Sequence, residues 1–134
     1  MEHCDVLIVG GGPGGSSCAK RLSSAGLDVL LLDKAVFPRD KVCAGWITPA
    51  VLDEVGLDPA EYRQGRVWQP ITAFRVGRYG GPMIEIDYRA PVSYGIRRCE
   101  FDHYLLGRCG ARLQLGESVR SIARDRRGWV INDR

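Results

Sequence analysis

An α/β fold organised on a parallel sheet is what this 134-residue sequence predicts. Three observations carry the prediction: an apolar strand that runs into a glycine pattern, an amphipathic helix directly after it, and a second apolar strand ending on an acid. Gly10, Gly12 and Gly15 fill G-x-G-x-x-G, and Asp33 lies 18 positions past the last glycine. A bare glycine pattern is weak evidence. Set between strand, helix and acid in this order, it is the fingerprint of a dinucleotide-binding βαβ unit of Rossmann type.

Each element has a physical reason. Val6 to Val9 form a continuous apolar run, as expected of a central parallel strand covered on both faces. Gly10 permits the tight turn, Gly12 lets backbone approach a pyrophosphate, and Gly15 lets the helix pack against the sheet. Pro13 suits a first helical turn. Gly15, Cys18, Ala19, Leu22 and Ala25 fall on one helical stripe that is expected to be buried, and Gly26 ends it. The free N–H groups at the helix start form an anion site. Val29 to Leu32 form the second strand and deliver Asp33 to a ribose edge, where its carboxylate accepts from hydroxyls and repels a 2′-phosphate. NADP is therefore disfavoured at this site.

Composition narrows the classes. The chain is 45% apolar and carries a net charge of +3, with sixteen arginines and three lysines spread along it. No basic block suggests a nucleic-acid face. No apolar run is long enough to span a membrane, and the N-terminus lacks the basic region of a secretory signal. Five cysteines (Cys4, Cys18, Cys43, Cys99, Cys109) form no C-x-x-C pair, which points to a reducing cytoplasm. His3 and Cys4 have no matching second pair, so no metal site is expected. His103, beside Asp102, has no nucleophile constellation around it.

After Asp33 the chain departs from a simple nicotinamide-type half. Residues 34–46 read as an irregular loop. Thr48 and Pro49 look like an N-cap and first turn, with Val51, Leu52 and Val55 as a short apolar face ended by Gly56. Strands are expected over Ile71–Val76 and Met83–Tyr88, joined by a loose glycine-rich turn into a β-hairpin with one buried face. A helix follows from Arg98 to Cys109, with Phe101, Leu105, Leu106 and Cys109 inward and Gly110 at its end. Further strands are expected at Ala111–Leu115, Val119–Arg124 and Trp129–Asn132, the last two joined by the turn Asp125-Arg126-Arg127-Gly128. The abrupt end after the last strand reads as a fragment of something longer.

Three segments together resemble the geranylgeranyl reductase family of FAD-dependent oxidoreductases, relatives of the aromatic hydroxylases and flavin-dependent halogenases. The first is Asp5 to Asp33. The second is Pro38-Arg39-Asp40-Lys41-Val42-Cys43-Ala44-Gly45, similar to R-x-x-K-x-C-G-G. The third is Tyr94 to Asp102, similar to the R-x-x-F-D opening of a helix. The likeness spans nearly the whole chain but only the N-terminal part of such an enzyme. It implies a Rossmann-type FAD-binding domain with a parallel sheet, plus a β-hairpin excursion belonging to an incomplete second (substrate) domain. Residues 1–65 would be the first part of the FAD domain, 66–96 the excursion, and 97–134 the truncated return.

The resemblance also implies roles. Gly10, Gly12 and Gly15, with Pro13 and Gly14, would meet the FAD pyrophosphate, and Asp33, with Lys34 beside it, the adenosine ribose. Arg98 would lie near ribose and phosphates, and Val119 would offer backbone groups to adenine. Cys43 and Gly45 would border the isoalloxazine. Ala44 stands where the family usually has glycine, so its methyl is expected to restrict the loop. The residues alone leave other roles open: a buried structural thiol for Cys43, a solvated pair with Glu100 or Asp102 for Arg98, surface charges for Arg39 and Lys41, and a core position for Trp46.

The implied activity is C=C reduction of an isoprenoid-like substrate, with NAD(P)H as electron donor to the flavin. Two alternatives stand beside it: a flavin-dependent monooxygenase, and a dinucleotide-binding fragment without turnover. The family's later Gly-Asp segment, which holds the ribityl chain, is absent, so the chain alone is expected to be inactive. The substrate expected is a small, apolar molecule, and peripheral membrane contact stays open.

Overall fold

The computed structural model describes residues 3–126 and 128–132. In chain order the elements are β1 (Val6–Val9), α1 (Pro13–Ser24), β2 (Val29–Asp33), β3 (Trp46–Ile47), α2 (Pro49–Val55), α3 (Pro59–Tyr62) and β4 (Trp68–Ile71). Then come β5 (Ala73–Gly77), β6 (Met83–Asp87), β7 (Ser93–Ile96), α4 (Arg98–Leu106), β8 (Arg112–Leu115), β9 (Ile122–Arg124) and β10 (Trp129–Ile131). The chain divides into two units, Met1–Asp40 with Phe101–Arg134, and Lys41–Glu100.

The first unit is built on a three-stranded parallel sheet in the order β1-β2-β8. β2 is the central strand, and all five of its residues are buried, as its unbroken apolar run requires. β1 is only partly covered, and Val9 is exposed. The expectation of a doubly covered strand thus belongs to β2: among the described residues β1 pairs on one side only. Ala19, Val29, Leu31, Phe37, Leu106 and Cys109 form the core. Gly110, in the left-handed region, turns the chain from α4 toward β8. Helix α4 therefore does for β2 and β8 what α1 does for β1 and β2, each crossing between parallel strands.

The buried stripe of α1 differs from the one its spacing predicts. Ser16 and Ala19 are buried, whereas Cys18 and Ala25 are exposed. Gly15 sets this rotation, because its backbone packs directly on the Gly10 carbonyl. Ser16 is accommodated by donating its hydroxyl to the Gly11 carbonyl at 3.0 Å. At the far end, β9 and β10 pair antiparallel. Val119 lies in the loop before β9 rather than inside a strand. Of the turn between β9 and β10, Arg127 falls outside the described residues; Asp125 Oδ1 accepts the Gly128 N–H at 3.0 Å.

The second unit holds a three-stranded antiparallel sheet, β3-β7-β4, and the hairpin β5–β6. α2 forms where Thr48-Pro49 predicts it, buries Leu52 and Val55, and ends on a left-handed Gly56. α3 was not anticipated, although Asp58 caps it through the Ala60 N–H at 2.8 Å and Pro59 opens it. The strand expected over 71–76 is broken at residue 72 into β4 and β5. In the hairpin Val76 faces Ile84 and Phe74 faces Ile86. Every residue of β6 is exposed, so the alternating pattern has no buried face in this chain. Trp68 stacks on Tyr94 with centroids 4.3 Å apart. Trp46, expected in the core, is half exposed and leans on Phe74 at 5.6 Å. No helix of the described residues is long and apolar enough to cross a membrane.

Candidate dinucleotide site

The C-terminal ends of β1, β2 and β8 share one edge of the parallel sheet, where α/β sheets bind ligands. Gly10 turns out of β1 with φ +107° and donates its N–H to Leu32 O at 2.7 Å. The next N–H, of Gly11, meets Asp33 Oδ2 at 2.7 Å, and Ala35 N–H meets Oδ1 at 2.8 Å. Asp33 is 8% exposed. A carboxylate has about four acceptor positions, so these two bonds leave capacity on both oxygens for ribose hydroxyls.

The glycine loop fits a pyrophosphate. Gly12 offers α1 no side-chain cap, and no acidic residue lies in the first turn. The first N–H groups of the helix are thus left for an anion, with the positive end of the dipole behind them. The glycines differ in what constrains them. A Cβ on Gly15 would collide with the Gly10 carbonyl oxygen. Gly12 has φ −70° and ψ −178°, and a Cβ there would meet nothing nearer than Arg39 Nη2 at 3.7 Å. The fold itself therefore leaves room for a Cβ at Gly12. Pro13 and Gly14 continue this turn of α1, and Lys34 is exposed beyond Asp33.

Beside Asp33 lies an open cleft of about 540 Å³, lined by Leu115, Glu117, Ser118, Arg120 and Asn132 among others. Glu117 N–H donates to Asp33 O at 3.0 Å, joining the cleft wall to the strand end. Val119 lies in the same loop, between Ser118 and Arg120, but is not itself one of the lining residues. Asn132, which sequence reasoning passed over, shapes it. Its Oδ1 accepts Arg120 N–H at 2.7 Å, and its Nδ2 donates to Ser118 O at 2.9 Å. A left-handed backbone, φ 52°, turns the side chain back into the loop. Asparagine tolerates that conformation better than most residues.

Arg39 is not the surface charge that the sequence suggests. Its guanidinium pairs with Asp102 at 3.1 Å, with side chains 19% and 0% exposed. It also lies over the Phe37 ring, 4.7 Å from the centroid. One signal could have flagged the pair: Asp102, Leu105, Leu106 and Cys109 share a helical stripe, so the acid falls among the buried positions of α4. Lys41 is exposed, as expected.

In the second unit Cys43 is exposed, which removes a buried structural role. Its thiol pKa is held below the ordinary value, first by hydrogen bonding from the Gly45 backbone and then by the Arg98 side chain. Arg98 thus reaches Cys43. Next to it, Glu100 pairs with Arg97 at 3.2 Å. Gly45 requires glycine twice over: φ is +69°, and a Cβ would stand 2.5 Å from Ile96 O. Ala44 is not among the residues with positive φ, so its methyl imposes no strain on the loop.

Comparison with known proteins agrees with this geometry. The family profile described as FAD binding domain matches residues 3–130. A menaquinone reductase of Mycobacterium tuberculosis is 36% identical over 92% of this chain and 28% of its own length. Digeranylgeranylglycerophospholipid reductase 1 of Methanopyrus kandleri is 33% identical over 97% of this chain and 32% of its own. A geranylgeranyl bacteriochlorophyll reductase-like protein of Thermoplasma acidophilum superposes with a TM-score of 0.80 at 24% identity, over 94% of this chain and 33% of its own; at that identity it shows the fold. Flavin-dependent halogenases are also among the similar proteins. The chain spans about a third of the length of the curated relatives named here. With a glycine loop after β1, an acid ending β2 and nearly every residue inside the profile, this chain belongs to the FAD-binding-domain family of flavin-dependent oxidoreductases, which holds geranylgeranyl-type reductases and halogenases alike.

Proposed function

We propose that this chain is the FAD-binding part of a flavin-dependent reductase acting on a C=C bond of an isoprenoid-like, apolar substrate, with NAD(P)H as electron donor. The observation that carries the cofactor half is Gly12, a glycine that the protein's own packing does not demand, at the mouth of an uncapped helix beside Asp33. The names of the two curated relatives, both reductases, support the substrate half. Bound flavin supplies hydride transfer, while the protein binds, orients and excludes water.

In this reading Gly10 to Gly15 hold the pyrophosphate through backbone N–H groups, and Asp33 takes the ribose hydroxyls. The peptide of Val119 faces adenine, in a loop that Asn132 holds in shape. Cys43 and Gly45 border the isoalloxazine, with Arg98 keeping the Cys43 sulfur in a polar, anion-favouring setting. Lys34, exposed after β2, adds positive charge near the adenosine. The 134 residues alone contribute the ADP half of the site and turn nothing over.

The test uses the protein carrying this chain, purified with FAD and reduced anaerobically by NADH or NADPH. Reoxidation on adding a polyprenyl substrate, with saturation of one double bond in the product, supports the reading. Reoxidation only by oxygen, with a hydroxylated or halogenated product, replaces it with the monooxygenase reading that the halogenase relatives favour. Protein that holds no flavin overturns both.

A further inference from the structure

We propose that Asp102 is a positioning residue for cofactor binding: it holds the Arg39 guanidinium over the mouth of the glycine loop, where that guanidinium meets a diphosphate. The inference rests on the reading that FAD occupies this loop. The geometry comes from two segments far apart in sequence. Arg39 leaves the chain six residues after β2, and Asp102 stands on the second turn of α4. Their side chains meet at 3.1 Å with the carboxylate wholly buried.

The guanidinium is held on two sides and lies near the glycine loop on a third. Nη1 is taken by Asp102, the planar face lies 4.7 Å from the Phe37 centroid, and Nη2 lies 3.7 Å from where a Gly12 Cβ would stand. Nη1 is buried and makes no aligned hydrogen bond among the described residues, so its 3.1 Å approach to Asp102 is an ion pair. Gly12 is also the N-cap of α1, so the edge of the guanidinium and the first N–H groups of the helix converge on the same opening. A planar, always-charged fork is suited to phosphate oxygens in a way that lysine is not.

A purely structural role explains this arrangement less well. A buried ion pair returns little net stability compared with an apolar pair of similar volume. What the pair does provide is a long, flexible side chain already ordered before any ligand arrives, which lowers the ordering cost of binding. Asp102 is the buried member of the pair, its side chain 0% exposed. It acts through Arg39.

The experiment measures FAD affinity of the protein carrying this chain by quenching of flavin fluorescence across a range of NaCl concentrations, with melting temperatures in parallel. Arg39→Met, Asp102→Asn and the double variant are compared with wild type. Each single variant is expected to bind FAD on the order of tenfold more weakly, as losing one charge-assisted hydrogen bond implies. Each also shows a shallower salt dependence. In the Arg39→Met background Asp102→Asn adds nothing to the loss of affinity. If Asp102→Asn does not fold, the Arg39→Met/Asp102→Leu protein decides, since it carries no buried charge; it is expected to melt as wild type does and bind as weakly as Arg39→Met. Wild-type affinity and salt slope in either Arg39 variant overturn the inference. So does an Asp102→Asn effect that persists undiminished without Arg39. Wild-type protein that takes up no FAD overturns the cofactor reading itself, and this inference with it.

Discussion

Asp33 Oδ2 accepts the Gly11 N–H at 2.7 Å, so the acid that ends β2 holds the glycine loop that follows β1. The two halves of the dinucleotide fingerprint are bonded to each other before any ligand is present. Asp33→Ala is expected to weaken FAD binding by about 1.5–3 kcal/mol, or roughly ten- to a hundredfold, the scale of hydrogen bonds to a charged group. The melting temperature falls as well, because the Gly11 N–H loses its acceptor. Wild-type protein is expected to bind NADP far more weakly than FAD, and equal affinities in a competition titration would contradict the role given to the carboxylate.

Gly12 and Gly15 are expected to separate binding from folding. Gly12→Ala adopts an allowed backbone, and its methyl meets only Arg39 at ordinary contact distance. Its melting temperature should stay within about 1 kcal/mol-equivalent of wild type, the usual range for an uncrowded site. Flavin retention nevertheless disappears. Gly15→Ala drives a methyl into the Gly10 carbonyl and lowers stability itself, by about 1–3 kcal/mol. Denaturant melts beside flavin content of the purified variants check both.

Cys43 should react as a thiol with a lowered pKa. The thiolate is favoured by the Gly45 backbone and by Arg98, so alkylation by iodoacetamide rises at lower pH than for an ordinary cysteine. Arg98→Met removes the second cause and moves the midpoint upward, toward the ordinary value. Mass spectrometry of the Cys43 peptide across a pH series reads this directly, and an unmoved midpoint would show that Arg98 does not act on the sulfur.

Asn132→Ala is expected to destabilise the chain by about 1–3 kcal/mol, since it strips acceptor and donor from the 117–121 loop and places alanine at a positive φ. Asn132→Gly retains the backbone conformation and isolates the side-chain bonds. Chemical denaturation of the three proteins gives both contributions.

The path from Val6 to Asp33 was legible because its determinants are local. Apolar runs, a glycine spacing and one acid lie within a single βαβ unit, where chain geometry leaves little choice. The same holds for α2, marked by Thr48-Pro49 at its start and Gly56 at its end. The rotation of α1 was not legible: Ser16 is buried and Cys18 exposed because Gly15 must clear the Gly10 carbonyl, a contact between backbone atoms that periodicity does not encode. Nor was the hairpin's exposure, since alternation at Ile84 and Ile86 states a preference for a partner surface without supplying one.

Side-chain composition and spacing thus specified the parallel βαβ unit and its cofactor class, through short-range sterics and hydrophobic period. Tertiary packing decided which charges serve that unit. Arg39 and Asp102 read separately as a loop cation and a helix acid. Only when α4 packs beside β2 does the acid become wholly buried and find the guanidinium. A buried carboxylate must be paired, and its partner is chosen by the fold rather than by distance along the chain.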